Sequence, residues 1–139
     1  MTVEQQTRAL SVLVVEDNAD TAESLARFLR LGCGYDVSTA WDGAKGIRAA
    51  VDQNPDVIIC DIGLPKRDGL QVAEELLERL PDRPLMIAVT GYGNRVTRDQ
   101  AIAAGFDYFL IKPADPFEIE ALIEAYARRD SEGDSASSP

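Results

Sequence analysis

The sequence predicts an α/β fold, a doubly wound five-stranded parallel sheet of strand order 2-1-3-4-5 flanked by five helices. Three observations lead there. Short apolar runs rich in β-branched residues recur: "VLVV" (12–15), "DVSTA" (36–40), "VIIC" (57–60), "LMIAV" (85–89) and "YFLI" (108–111). Four of the five lack polar alternation, as parallel strands covered on both faces do. A helical pattern follows each run, and a β-α order repeated five times folds by right-handed crossovers into one parallel sheet.

After the first strand, Ala22, Leu25, Ala26 and Leu29 follow the i, i+3, i+4, i+7 rule, and Gly32 is placed to end that helix. The second run alternates, with Val37 and Thr39 on one side, which suits an edge strand and hence the order 2-1-3-4-5. Ile47, Ala50 and Val51 make a weaker stripe after Asp42, a residue suited to an N-cap. Leu70, Ala73, Leu76, Leu77 and Leu80 make a strong one between Asp68 and Pro81. The helix from about Asn94 to Ala104 has the poorest apolar face and should be the least firmly docked. In the last helix, Asp115 caps, Pro116 takes the first position, and Ile119, Leu122, Ile123 and Tyr126 face inward.

A chain of 139 residues with 45% hydrophobic and 27% charged residues is one ordinary globular domain. It is expected over residues 10–129, after a flexible leader (1–9) and before a polar tail (130–139), disordered from about Ser131. No run reaches transmembrane length and no signal-peptide core opens the chain, which implies a cytoplasmic protein with no membrane partner. The net charge of −10 argues against a nucleic-acid surface. With no histidine, Ser/His/Asp and Cys/His hydrolases and most zinc enzymes drop out. Cys60 reads as a small buried hydrophobe.

Ligands of such sheets bind at the carboxyl ends of the strands, near the switch in strand order. Glu16 and Asp17 follow strand 1, Asp61 ends strand 3, Thr90 follows strand 4, and Lys112 and Pro113 follow strand 5. Strands 1 and 3 are neighbours at roughly 4.8 Å. Like charges about 4 Å apart repel by about 4 kcal/mol at an effective dielectric near 20, so the three carboxylates need protons or a cation. Oxygen ligands without His or Cys select Mg²⁺. Lys112 and Thr90 beside a metal suit a phosphoryl group, with Asp61 as the nucleophile that would form an acyl phosphate. Each residue alone has an ordinary explanation, a turn Asp above all; their coincidence at the strand ends is the signal.

With "VLVVEDN", "CDIGLPKRDG", "AVTGYG" and "FLIKP" in view, the chain resembles a bacterial response-regulator receiver domain of two-component signalling over about Leu10 to Arg128. The resemblance implies the flavodoxin-like form of the fold. It makes Asp61 the phosphoacceptor, with Mg²⁺ held by Asp17, by Glu16 mainly through water, by Asp61 and by the backbone carbonyl of Gly63. Thr90 and Lys112 would contact phosphoryl oxygens, the Lys112–Pro113 peptide would be cis, and Thr90 would couple to Phe109 as a switch. The implied donor is the phosphohistidine of a sensor histidine kinase or a histidine phosphotransfer protein. The implied product is a phosphoacceptor that assists its own phosphorylation and dephosphorylation, not a conventional enzyme.

No DNA-binding domain follows Arg128, so the expected output is contact with a downstream protein, or onward phosphotransfer, through helix 4, strand 5 and helix 5, as a monomer or weak dimer. Arg67 and Tyr92 depart from the family's commonest pattern. Two rivals remain at this point. A haloacid-dehalogenase-type phosphohydrolase needs a second Asp where Gly63 stands. A flavodoxin-like binding module needs a phosphate loop where "EDNAD" stands. A receiver used unphosphorylated is a third reading.

Overall fold

The computed structural model describes residues 9–64, 68–91 and 96–136, with side chains as far as Arg129. Most of the leader, and Arg67 and Tyr92, lie outside the described residues. In chain order the elements are β1 (Ser11–Val15), α1 (Ala19–Arg27), β2 (Asp36–Ala40), α2 (Gly43–Gln53), β3 (Val57–Asp61), α3 (Gly69–Arg79), β4 (Leu85–Thr90), α4 (Arg98–Ala104), β5 (Tyr108–Ile111) and α5 (Pro116–Ala136). The strands are parallel and ordered β2-β1-β3-β4-β5, the order expected with the polar β2 at one edge.

Every residue of β3 and β4 is buried, because helices cover both faces. Since side chains alternate across a strand, each face receives its own core. Val14, Ile59 and Val89 meet Ala26 and Leu29 of the α1 region and Ile119 and Ile123 of α5. Val15, Cys60 and Ala88 meet Ile47 of α2, Leu76 of α3 and Ala101 of α4.

Local details depart from the expectations. In β2 the buried positions are Val37 and Ala40, while Thr39 is exposed: at an edge, only the residues under α1 and α2 need covering. Val51 of α2 is also exposed. A π-helical turn (Phe28–Gly32) extends α1, and the left-handed residue after it is Gly34 (φ 76°), whose N–H donates to Arg30 O at 3.0 Å. The backbone of α5 runs helical to Ala136, through the segment where composition suggested disorder. A helix nucleated by docking Ile119 and Ile123 needs only one further bond per added residue.

Helix α4 begins at Arg98 rather than near Asn94, because Thr97 caps it. The Gln100 N–H donates to Thr97 Oγ1 (3.1 Å), and the Thr97 N–H donates to Gln100 Oε1 (2.9 Å). Its buried side chains are two alanines, Ala101 and Ala104, so the cap carries an unusual share of its stability. Thr97→Ala should cost about 1 kcal/mol. Amide hydrogen exchange is expected to speed up at Ala101 to Ala104 and to recover in Thr97→Ser; unchanged protection would remove the cap from the account.

Candidate functional site

The registers bring the acids together. Val15 pairs with Cys60 across β1 and β3, so the next residues, Glu16 and Asp61, leave the sheet side by side. Asp61 pairs with Val89 and Thr90 with Ile111, which places Thr90 and Lys112 at the same end. The Lys112 N–H donates to Thr90 O at 2.7 Å. The Lys112–Pro113 peptide is cis.

Glu16, Asp17 and Asp61 present carboxylate oxygens that all lie within 4.8 Å of one another. At that spacing two negative charges repel by about 3 kcal/mol at an effective dielectric of 20. Burial sharpens the problem: Glu16 is 5% exposed and Asp61 7%, while Asp17 lies open to solvent. The compensating charge is Lys112, whose Nζ lies 2.6 Å from Glu16 Oε1 and 3.1 Å from Asp61 Oδ2. The remaining oxygens have backbone donors, with Asn18 N–H on Glu16 Oε2 at 3.0 Å and Gly63 N–H on Asp61 Oδ1 at 2.9 Å.

Ionisation follows from this packing. Burial pushes the Glu16 carboxyl above its ordinary value, and the hydrogen bond from Lys112 offsets that only in part. Burial works against the Lys112 charge too, but the hydrogen bonds to Glu16 and Asp61 outweigh it and raise its pKa. A raised ammonium favours the fold up to its ordinary value, and that contribution fades as the pH climbs through the raised one.

Thr90 is buried, with 3% exposure. Among the described residues its hydroxyl has no hydrogen bond to Asp61 or Lys112; the acceptor in reach is Gly91 O at 3.5 Å. By strand alternation Thr90 shares a face with Ala88, which pairs with Phe109. Phe109 is half-buried against the core under α2, α3 and α4.

Two contributors were not singled out from the sequence. Asn18 caps α1 through Oδ1 on the Thr21 N–H (2.9 Å) while its own N–H holds Glu16; the signal was an Asn just ahead of the first helical repeat. Gly69 lets α3 start against the backbone that carries Asp61. A Cβ there would stand 2.7 Å from Ile62 Cα and 2.9 Å from Asp61 O. Adjacent Asp68 caps this helix, its carboxylate accepting the Gln71 N–H at 3.0 Å.

The donor set fits a hard divalent cation: carboxylates on converging strand ends, with no nitrogen or sulfur ligand among the described residues of the cluster. Among the described residues no helix is long and apolar enough to cross a membrane.

Comparison with known proteins agrees with this geometry. The chain is 40% identical over 119 residues to the transcriptional regulatory protein PrrA of Mycobacterium tuberculosis, covering 85% of this chain and 50% of that protein. It is 36% identical to the DNA-binding dual master transcriptional regulator RpaA of Synechocystis, covering 85% and 49%. Among solved structures, the N-terminal domain of an uncharacterized protein from Wolinella succinogenes matches with a TM-score of 0.79 at 30% identity, covering 90% of this chain and 99% of that one. A CheY-like response regulator receiver domain protein from Methanospirillum hungatei matches with a TM-score of 0.78 at 25% identity, covering 90% and 99%.

These relatives overturn two expectations. Output by protein contact or onward phosphotransfer without a DNA-binding domain, and the exclusion of nucleic acid as a partner, both leaned on the end of the chain and on its charge. The curated relatives are transcriptional regulators, one described as DNA-binding, and the chain spans about half their length. A net charge of −10 over these 139 residues says nothing of such a protein's other half. The family model for the response regulator receiver domain matches residues 12–124, and the chain belongs to that family of two-component phosphoacceptors.

Proposed function

We propose that the chain accepts a phosphoryl group on Asp61 and uses it to control transcription. The observation that carries this reading is the convergence of Glu16, Asp17, Asp61 and Lys112 at one end of the sheet. In the proposed transfer, an Asp61 carboxylate oxygen forms a bond to phosphorus while the bond to the histidine nitrogen of a sensor kinase breaks, and the imidazole leaves with the electron pair. Receiver domains generally bind Mg²⁺ at an acidic pocket, and Glu16, Asp17, Asp61 and the Gly63 carbonyl are the groups we assign to it. The ion supplies charge neutralisation for the phosphoryl oxygens.

Lys112 is already within 3.1 Å of Asp61 and would become the cation paired with the new phosphoryl oxygens. The Thr90 hydroxyl, free of Asp61 and Lys112 among the described residues, would turn to donate to the same group, and Phe109 on its face of the sheet would follow. Phosphorylation thus favours one of two packings through bonds made only to the phosphoryl group. The kinase donor places this chemistry in the cytoplasm, and DNA binding is the output we carry over from the relatives.

The test is incubation with acetyl phosphate and Mg²⁺ followed by borohydride trapping and peptide mass mapping. Label is expected on Asp61 alone, dependent on the metal and absent from Asp61→Asn. Label that persists in that variant overturns the assignment.

A further inference from the structure

We propose that a cavity between α1 and α5 is a binding site for a small organic cation, an ammonium or amidinium on a short apolar body. The cavity measures ≈ 650 Å³, within the roughly 300–1,000 Å³ of small-molecule sites, which are mostly apolar with a few placed polar groups. Its walls fit that description: Leu25, Ile59, Val89, Pro116 and Ile119 supply apolar surface. One turn of α1 adds Asp20, Thr21 and Ser24, and the end wall is Glu16, Asp61 and Lys112.

Charge selects the occupant. In the metal-free protein three lining carboxylates face one lining ammonium, and Asp20 is the lining carboxylate outside the metal-ligand cluster. The oxygens of Glu16 and Asp61 already have donors in Lys112, Asn18 and Gly63. Asp20 differs: among the described residues it is in no ion pair, and it stands beside the Thr21 and Ser24 hydroxyls at the mouth. Asp20 is exposed to solvent at the rim, so a neutral molecule gains nothing from it, and an anion would meet carboxylates. A cationic head can pair with Asp20 and donate to the hydroxyls while its apolar body lies against Leu25 and Ile119. Because Asp61 and Lys112 close the far end, an occupant would reach the phosphoacceptor from the side opposite α4.

The probe is phenethylamine, with phenethyl alcohol as its uncharged counterpart, titrated into the 139-residue chain and followed by amide NMR shifts in the presence of a chelator. The amine should shift Ser24, Leu25, Ala114 and Ile119 and bind at least about tenfold more tightly than the alcohol. Asp20→Asn should erase that preference, and Ser24→Leu, which fills the mouth and keeps the carboxylate, should weaken both probes. Shifts confined elsewhere, no binding at millimolar probe, equal affinity for the two, or a preference that survives Asp20→Asn overturns the proposal. Neither metal nor phosphoryl donor is present, so this result and the labelling of Asp61 stand or fall separately.

Discussion

Lys112→Met should cost the metal-free protein about 2–3 kcal/mol at neutral pH, with the melting temperature falling by about 6–10 °C. Methionine keeps the length and apolar stem of lysine and deletes the charge. Glu16 and Asp61, 5% and 7% exposed, would then face each other with no cation between them. Deleting one partner of a buried ion pair typically costs about 3–5 kcal/mol; the lysine side chain is 27% exposed, so solvent takes up part of that.

The pH dependence has a fixed sign. Glu16 is already raised by burial, and without the ammonium it rises further. An acid raised in the folded state binds a proton there that the unfolded chain releases, so folding is favoured as the pH falls. The variant should close the gap with the parent between neutral pH and about pH 5. Mg²⁺ should also narrow it, since a cation that binds only the folded acids stabilises them. Urea titrations at both pH values, with chelator and with Mg²⁺, measure all of this. Equal stability of variant and parent in chelator at neutral pH would mean that Lys112 does not neutralise the acids.

Gly69→Ala should destabilise by about 1–3 kcal/mol despite alanine's better helix propensity. The added carbon would meet Ile62 Cα at 2.7 Å and Asp61 O at 2.9 Å, both backbone atoms that no rotamer change can move. Relief requires α3 to back away, breaking the Gly69 N–H to Ile62 O bond of 2.9 Å. Slower acetyl phosphate labelling should accompany the loss, because the displaced backbone carries Asp61. Gly32→Ala is the control, since a Cβ there meets nothing within 4 Å. Gly32→Ala should be neutral or slightly stabilising, and similar losses in both variants, read from thermal melts, would mean that the close contacts at Gly69 do not set the cost.

What could be read in the sequence was what periodicity encodes. The runs at 36–40 and 108–111 are the strands β2 and β5 to the residue, since their bounds coincide with a change in composition. The order of the sheet followed from one polar strand and the handedness of crossovers. The start of α4 was misplaced because its cap is a pair, Thr97 with Gln100, whereas the eye follows apolar residues. In the site, the sequence supplied which strand ends meet, and hence Glu16 beside Asp61. It could not supply where Lys112 divides its bonds: the shorter one goes to Glu16, at 2.6 Å, and the longer to Asp61, at 3.1 Å. Gly69 and the α1–α5 cavity were silent for a related reason. Both are facts about empty space, and a sequence lists only what fills it.

The acids and their ammonium come from distant parts of the chain. Asp61 and Lys112 are 51 residues apart, and the lysine arrives with the edge strand β5. The inner strands β1 and β3 carry Glu16 and Asp61 to one rim, and the last β-α unit carries the ammonium that reconciles them. The balance of charge at that rim is thus a property of the complete sheet and not of any neighbouring pair of strands.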